Sequence, residues 1–358
     1  GNSHDLEWAA TGNRNPARSL WRGSNPDGVA AGSCLLAFRA KLFEDRIAST
    51  HSHEGAAMNT AEAILPSAAK TAGWRARLQD WAELSKARLT LLVLLTTLVG
   101  LYCGAGGELE LWRTLFTLTG TVLVAAAAAV LNEWIERDLD ARMIRTAQRP
   151  LPAGRVSPDE ALLGGAFMAA AGLGILYLGV HAPAAFLAAC TLALYLFLYT
   201  PMKKWSVLNT LVGAVPGAIP PLLGFVAGRG RIGAEGWALF SILFLWQIPH
   251  FLAIAWRHRE DYRRAGFRML PCSDDQGRIT GLVATLYCLA LLVAAVWPFY
   301  LGAAGPWYLG GAVLLSLGFT WGAGRFALRP TQETARSLFL ASVAYLPILL
   351  ILLVADRR

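Results

Sequence analysis

The chain has 358 residues, of which 55% are hydrophobic and 16% are charged. A soluble domain carries roughly a quarter charged residues, and here the apolar residues fall in runs of about 20, the length a helix needs to cross a bilayer. The composition therefore excludes an ordinary soluble fold and predicts an all-α integral membrane protein. The net charge of +8 lies largely in short connections between apolar runs, so it indicates membrane orientation and not a nucleic-acid partner.

Residues 1–57 differ in composition from the rest of the chain. They contain six basic and six acidic residues, many Gly, Asn and Ser, and no lasting amphipathic period. This predicts a disordered or non-native extension, and the acidic residues argue against a mitochondrial transit peptide. Residues 58–88, beginning at Met58, are expected to form an N-terminal flank on the cytoplasmic side, and residues 89–358 the transmembrane domain.

Nine apolar segments follow in chain order, and an odd number of spans places the two ends of the domain on opposite sides of the membrane. Eight spans with a re-entrant segment are the alternative, because the fourth segment follows the third with hardly any turn. The predicted segments are Leu89–Gly107, Leu115–Trp134, Ala161–Val180, Ala182–Thr200, Val207–Gly228, Gly236–Trp256, Ile279–Leu301, Trp307–Gly324 and Ser337–Val354.

The basic residues of the connections are distributed asymmetrically. With nine spans, 21 Lys and Arg residues lie on one side of the membrane and 5 on the other. Cytoplasmic connections carry the excess of positive charge, which places the N-terminus in the cytoplasm and the C-terminus outside. We expect a multi-pass protein of the cell inner membrane; the mitochondrial inner membrane is the less favoured alternative.

The second segment continues without a break into the charged stretch LNEWIERDLDAR. Asn132, Glu136 and Asp140 stand at i, i+4 and i+8, so on a helix they share one face. Carboxylates one turn apart repel each other unless a cation lies between them, and Mg²⁺ takes one or two protein carboxylates together with substrate phosphates. The spacing predicts a site for Mg²⁺ and a diphosphate.

Further polar side chains lie in or directly beside three connections on the same side of the membrane. Guanidinium groups suit phosphate oxygens because their planar forks donate two parallel hydrogen bonds. Charges beside a span commonly mark only the water interface, but metal ligands combined with anion binders favour an enzyme acting on a lipid diphosphate. The candidates are Arg145, Arg149, Tyr199, Lys203, Arg257 and Asp261.

Four strings carry a resemblance to a known family: DWAELSKARLTLLVLLTTLVG, NEWIERDLDARMIRTAQRPLPAGR, YTPMKKWSVLNTLVGAVPGAIPPLLG and WQIPHFLAIAWRHREDYRRAGFRMLP. From about Asp80 to its end the chain is similar to the UbiA superfamily of intramembrane prenyltransferases. Residues before Met58 have no counterpart in that family. The strings RTAQRPLP, PGAIPPLLG and WQIPHF resemble the branch that acts on haem.

The resemblance implies a nine-helix bundle with a central cavity, capped by polar connections that bind an isoprenyl diphosphate through Mg²⁺. Asn132, Glu136 and Asp140 match the first acidic motif, with Glu136 where many members have Asp. Asp261 matches the last carboxylate of the second motif, so Glu136, Asp140 and Asp261 become the implied metal ligands. Arg257 stands where that motif has another carboxylate, which implies either a missing ligand or a fixed cation in place of a second Mg²⁺.

The haem branch implies transfer of a farnesyl group from farnesyl diphosphate to a vinyl group of haem b, completed by water. His250, in WQIPHF, is the candidate contact to the haem iron, because an ionisable residue inside a span is functional by default. A hydrogen bond to a neighbouring helix is the alternative role. The implied surroundings are membrane lipid, and a downstream haem-modifying oxidase is a candidate partner.

Two other functions fit parts of the pattern. A related prenyltransferase acting on a quinone precursor or another aromatic acceptor would have the same diphosphate site, so only the haem-branch strings argue against it. A transporter would carry charges deep inside several spans, whereas here the charges gather at one membrane face.

Overall fold

The computed structural model describes residues 73–358, and the predicted disorder of residues 1–57 lies outside this range. Within the described range, nine helices are long and apolar enough to cross a membrane, which confirms the nine predicted spans and the multi-pass architecture. In order they are Ala87–Gly104, Leu111–Asp140, Pro158–Gly179, Ala182–Met202, Asn209–Arg229, Ala234–Arg257, Arg278–Tyr300, Pro306–Leu328 and Gln332–Ala355.

Three short helices lie at the end of the bundle where the second span finishes at Asp140, which we call the charged end. An N-terminal helix, Trp74–Leu84, precedes the first span, and the helices Arg259–Arg264 and Leu270–Ser273 follow the sixth. Arg155, in the connection after the second span, contacts the N-terminal helix by donating hydrogen bonds to Asp80 (2.6 Å) and Glu83 (2.8 Å).

A two-residue turn separates the third and fourth spans, so no re-entrant segment is needed there. The third span ends at Gly179 and the fourth begins at Ala182. His181 caps the new helix, because its Nδ1 accepts a hydrogen bond from the backbone N–H of Ala184 (3.3 Å). The last turns of the fourth span, Leu194–Tyr199, are π-helical, a local widening that is frequent at functional sites.

The first and fifth spans pack backbone to backbone. A Cβ added at Gly100 would lie 2.0 Å from the carbonyl oxygen of Pro221, and one added at Gly224 would lie 2.0 Å from that of Thr97. Small residues of this kind let membrane helices approach closely. Part of the PGAIPPLLG string is therefore explained by helix packing.

Candidate active site

The second span carries the predicted acidic face beyond the end of its apolar segment. The helix runs to Asp140, six residues past the predicted end at Trp134. Asn132, Glu136 and Asp140 are 2%, 5% and 1% exposed. Because a buried carboxylate is costly unless it is paired, the partners of these side chains define the site.

Glu136 is paired with Lys203 from the end of the fourth span. Lys203 Nζ donates to Glu136 Oε2 at 2.8 Å and lies 4.7 Å from the centre of the Tyr199 ring. Burial opposes the charge of Lys203, yet Tyr199 and Glu136 hold its pKa above the ordinary lysine range. The predicted residues Tyr199 and Lys203 thus meet Glu136 in one cluster.

Asp140 is paired with Arg149 across the turn that follows the second span. Arg149 Nη1 donates to Asp140 Oδ2 at 2.7 Å, and Thr146 Oγ1 donates to the Asp140 carbonyl at 2.8 Å. Burial opposes the charge of Arg149, but Glu133 and Asp140 hold its pKa above the ordinary arginine value.

Glu133 belongs to this cluster and was missed from the sequence. It is 1% exposed, and its Oε1 lies 3.6 Å from both Lys86 Nζ and Arg149 Nε. Glu133, Glu136 and Asp140 stand at i, i+3 and i+7, so the helix spacing that selected the other two carboxylates selects this one as well.

Lys86 was also missed, and no sequence pattern marks it. It lies between the N-terminal helix and the first span in the left-handed backbone region, with φ of 50°. That conformation is unfavourable for a residue with a Cβ and is typical of functional positions. Burial lowers the pKa of Lys86 to about 8, although Glu133 opposes the shift.

A cleft of about 730 Å³ opens beside these groups. It carries more basic than acidic side chains, so it suits an anionic ligand. The charged residues of its lining are Glu83, Lys86, Arg88, Glu133, Arg145 and Arg149.

The connection after the sixth span, the second polar connection of this site, contacts the cleft-lining Arg145 through Tyr262. Arg145 Nη2 lies 3.5 Å from the Tyr262 hydroxyl, and its guanidinium lies 5.8 Å from the centre of that ring. The neighbouring Asp261 forms an ion pair with Arg264 within the same short helix. Arg268 N donates to the Lys203 carbonyl at 2.7 Å, so the connections after the fourth and sixth spans also touch.

Asn132 joins two spans below the carboxylates. Its Nδ2 donates to Thr200 Oγ1 at 3.0 Å, and Thr200 donates in turn to the Tyr195 carbonyl at 2.8 Å. The amide thereby fixes the second span against the π-helical turn that carries Tyr199.

Comparison with known proteins assigns the family. Residues 93–343 match the model of the UbiA prenyltransferase family. The chain belongs to this family. It is a transferase, and residues 73–358 contain nine helices that are long and apolar enough to cross a membrane, as the resemblance implied.

A named relative supports the assignment, and solved structures share the fold. The chain is 45% identical over 289 residues to a protein of Solibacter usitatus named protoheme IX farnesyltransferase. The aligned region covers 78% of this chain and 99% of that protein. The fold is similar to that of a digeranylgeranylglyceryl phosphate synthase (TM-score 0.67, 20% identity, 78% and 98% covered). It is also similar to a UbiA homologue from Archaeoglobus fulgidus bound to GPP and Mg²⁺ (TM-score 0.56, 16% identity, 77% and 99% covered).

The carboxylates of this UbiA chain are arranged as pairs with cations. Among residues 73–358, no three His, Cys, Asp or Glu side chains are grouped so that they could hold a metal ion. The predicted ligands Glu136, Asp140 and Asp261 instead contact Lys203, Arg149 and Arg264, respectively.

Two buried carboxylate oxygens nevertheless fit a cation. Oε2 of Glu133 and Oε1 of Glu136 have no hydrogen-bond partner among the described residues. An unpartnered buried oxygen is costly, and carboxylate oxygens are the ligands that Mg²⁺ prefers. The donor set on this helix face is therefore compatible with Mg²⁺.

Arg257 and His250 lie on the side of the sixth span that contacts the ninth. The Arg257 guanidinium lies 5.7 Å from the centre of the Phe339 ring. His250 Nδ1 lies 2.7 Å from Ser342 Oγ, so the alternative role of a hydrogen bond to a neighbouring helix is observed. The contact with haem iron stays a prediction.

Proposed function

We propose that this chain transfers the farnesyl group of farnesyl diphosphate to a vinyl group of haem b, giving haem O and diphosphate. The observation that carries the proposal is the 45% identity to a named protoheme IX farnesyltransferase, which this chain matches over 99% of its length. The net positive cleft beside three buried carboxylates supports the diphosphate half of the proposal.

The reaction balances without a covalent enzyme intermediate. The bond between C1 of the farnesyl group and the diphosphate oxygen breaks, and C1 bonds to the terminal carbon of the vinyl group. Water then adds its oxygen to the remaining carbon of that vinyl group and releases a proton. The leaving diphosphate needs positive charge, and the allylic cation needs protection from water until it meets the vinyl group.

The cations at the charged end of the bundle would neutralise the leaving group. Arg149 and Lys203 are held beside Asp140 and Glu136 by direct hydrogen bonds, so they need little rearrangement to act on a phosphate. Arg145 reaches into the cleft from its contact with Tyr262. Such preorganised charge in a partly dry site is among the largest contributions to catalysis.

Mg²⁺ would be held by Glu136 and Asp140, with Glu133 beside them and Asp261 from the second connection. When bound, it would act as a Lewis acid on the diphosphate oxygens. Asn132 would keep the carboxylate face in place through Thr200. Tyr199 would hold the Lys203 ammonium under its ring face, and Arg257 would supply a fixed cation where the second acidic motif of the family has a carboxylate.

The distribution of basic residues supports an orientation for the bundle. The charged end of the bundle would face the cytoplasm, in the cell inner membrane, where a water-soluble diphosphate product can leave. The farnesyl chain and the porphyrin would lie among the apolar spans, surrounded by membrane lipid. A downstream haem-modifying oxidase would receive the product.

The decisive experiment uses the full chain in lipid nanodiscs, supplied with haem b, farnesyl diphosphate and Mg²⁺. Mass spectrometry should detect a porphyrin that has gained one farnesyl group and one hydroxyl group. A parallel reaction with an aromatic acid as acceptor is the control. If the protein binds no haem b and prenylates the aromatic acid, the haem proposal is wrong and a quinone-precursor prenyltransferase is indicated.

A further inference from the structure

The His250 ring is held by aromatic side chains on two spans. The ring of Trp246, one helical turn earlier, stacks on it at 4.9 Å, and Phe339 from the ninth span lies 5.2 Å away. Phe251 meets it edge-on at 5.5 Å. An imidazole packed in this way has little freedom to turn, so its two nitrogens keep distinct surroundings.

The hydroxyl of Ser342 lies within hydrogen-bond distance of two groups, the carbonyl of Phe339 and Nδ1 of His250. Ser342 Oγ donates its single hydrogen to the carbonyl of Phe339 at 2.5 Å. With its hydrogen on that carbonyl, the same oxygen accepts at its 2.7 Å contact with His250 Nδ1, and Nδ1 is then the nitrogen that bears hydrogen. The Nε2 of His250 makes no hydrogen bond to another of the described residues, and in the neutral ring it bears the lone pair.

We propose that Ser342 is a positioning residue that holds His250 with hydrogen on Nδ1 and presents its Nε2 to the iron of haem b. The inference rests on the proposed function, in which haem b is the acceptor. Histidine ligands of metals characteristically donate their other ring N–H to an oxygen, which fixes the tautomer and the ring orientation.

The backbone of the ninth span at Ser342 is held in place by the sixth span. Trp246 Nε1 donates to the Ser342 carbonyl at 2.8 Å, so a residue that stacks on His250 also anchors the backbone of its hydrogen-bond partner. Ser342 is fully buried, which removes water as a competing partner for its hydroxyl.

The first test measures the tautomer in the protein without haem. The ¹⁵N signals of His250, assigned by their loss in His250→Gln, should show a protonated Nδ1 and an unprotonated Nε2. Ser342→Ala should mix the two tautomers, and Ser342→Thr, which keeps the hydroxyl, should restore the wild-type pattern. A neutral wild-type ring with hydrogen on Nε2 would overturn the inference.

The second test measures haem b itself. Ser342→Ala should weaken haem b binding by about 10-fold and shift the Soret band, within the 10- to 100-fold range typical of residues that orient metal ligands. Ser342→Thr should bind as the wild type does. The matched control is Ser316→Ala, because Ser316 is equally buried and bonds the Tyr345 hydroxyl at 2.9 Å instead of His250.

The outcomes separate this inference from the proposed function. A wild-type protein that binds no haem b contradicts the proposed function. Haem binding in the wild type that Ser342→Ala leaves unchanged contradicts the inference alone. An equal loss of affinity in Ser316→Ala would assign the effect to packing of the last spans and would also overturn it.

Discussion

The end of the second span and the surroundings of His250 partner their polar side chains in different ways. On the second span, three carboxylates within eight residues are each 5% exposed or less and are paired with Lys86, Arg149 and Lys203. Around His250 there is one titratable side chain among aromatic rings, with a serine as its polar partner. A buried charge is costly unless it is paired, so the carboxylates come with partners of opposite charge, whereas aromatic and hydroxyl side chains occur in any span.

This contrast predicts that the largest losses come from the second span. Asp140→Asn and Glu136→Gln should each lower prenyl transfer by at least about 100-fold, because the amide keeps the shape but removes the charge that pairs with a cation and that, in the proposed function, would hold Mg²⁺. Turnover in nanodiscs, normalised to the amount of folded protein, is the measurement. If either variant stayed near wild-type activity at limiting Mg²⁺, the metal site would have to be placed on the second polar connection.

Glu133 tests whether the buried face of the helix extends beyond the residues predicted from the sequence. Glu133→Gln should reduce activity by about 10- to 100-fold, because it leaves Lys86 and Arg149 with less negative charge between them. The matched control is Asp138→Asn on the same helix, since the Asp138 side chain is 83% exposed. Equal effects of the two substitutions would show that net charge, and not the buried face, matters.

The sequence predicted the spans well because hydropathy alone decides which segments can cross a bilayer. It placed the end of the second span six residues too early, since charged residues close an apolar window while the helix continues to Asp140. Glu133 could have been predicted, because it stands at helical spacing from Glu136 and Asp140. Lys86 could not have been predicted, because a left-handed backbone at a non-glycine residue depends on tertiary contacts.

The His250 surroundings could not be predicted from the sequence beyond the histidine itself. Ser342 is 92 residues away, and nothing in its local sequence marks it as the partner. The same holds for Lys203 and Glu136, which are 67 residues apart, but there the opposite charges at one membrane face allowed them to be brought together. Apolar and hydroxyl side chains carry no charge from which their contact partners could be predicted.

His250→Ala tests the acceptor side of the comparison. It should weaken haem b binding and shift the Soret band, while the affinity for farnesyl diphosphate changes by less than about twofold, because no charged group of the diphosphate site contacts His250 among the described residues. Absorbance titration with haem b and competition with inorganic diphosphate are the two measurements. Lost activity with an unchanged spectrum would favour a role in positioning the porphyrin and not an iron contact.

The smallest expected effect lies where the two regions meet. Phe339 packs against both His250 (5.2 Å) and the guanidinium of Arg257 (5.7 Å), and Arg257 forms no ion pair with another of the described residues.

If Arg257 is the fixed cation that replaces a second Mg²⁺, Arg257→Asp should make turnover more dependent on Mg²⁺. The ratio of activity at saturating to limiting Mg²⁺ should rise on the order of threefold, as expected for a partly exposed charge. Arg257→Gln, which removes the cation without adding a carboxylate, should lower activity at both concentrations. An unchanged Mg²⁺ dependence in Arg257→Asp would remove Arg257 from the diphosphate site and leave it as a residue that packs on Phe339, on the acceptor side of the molecule.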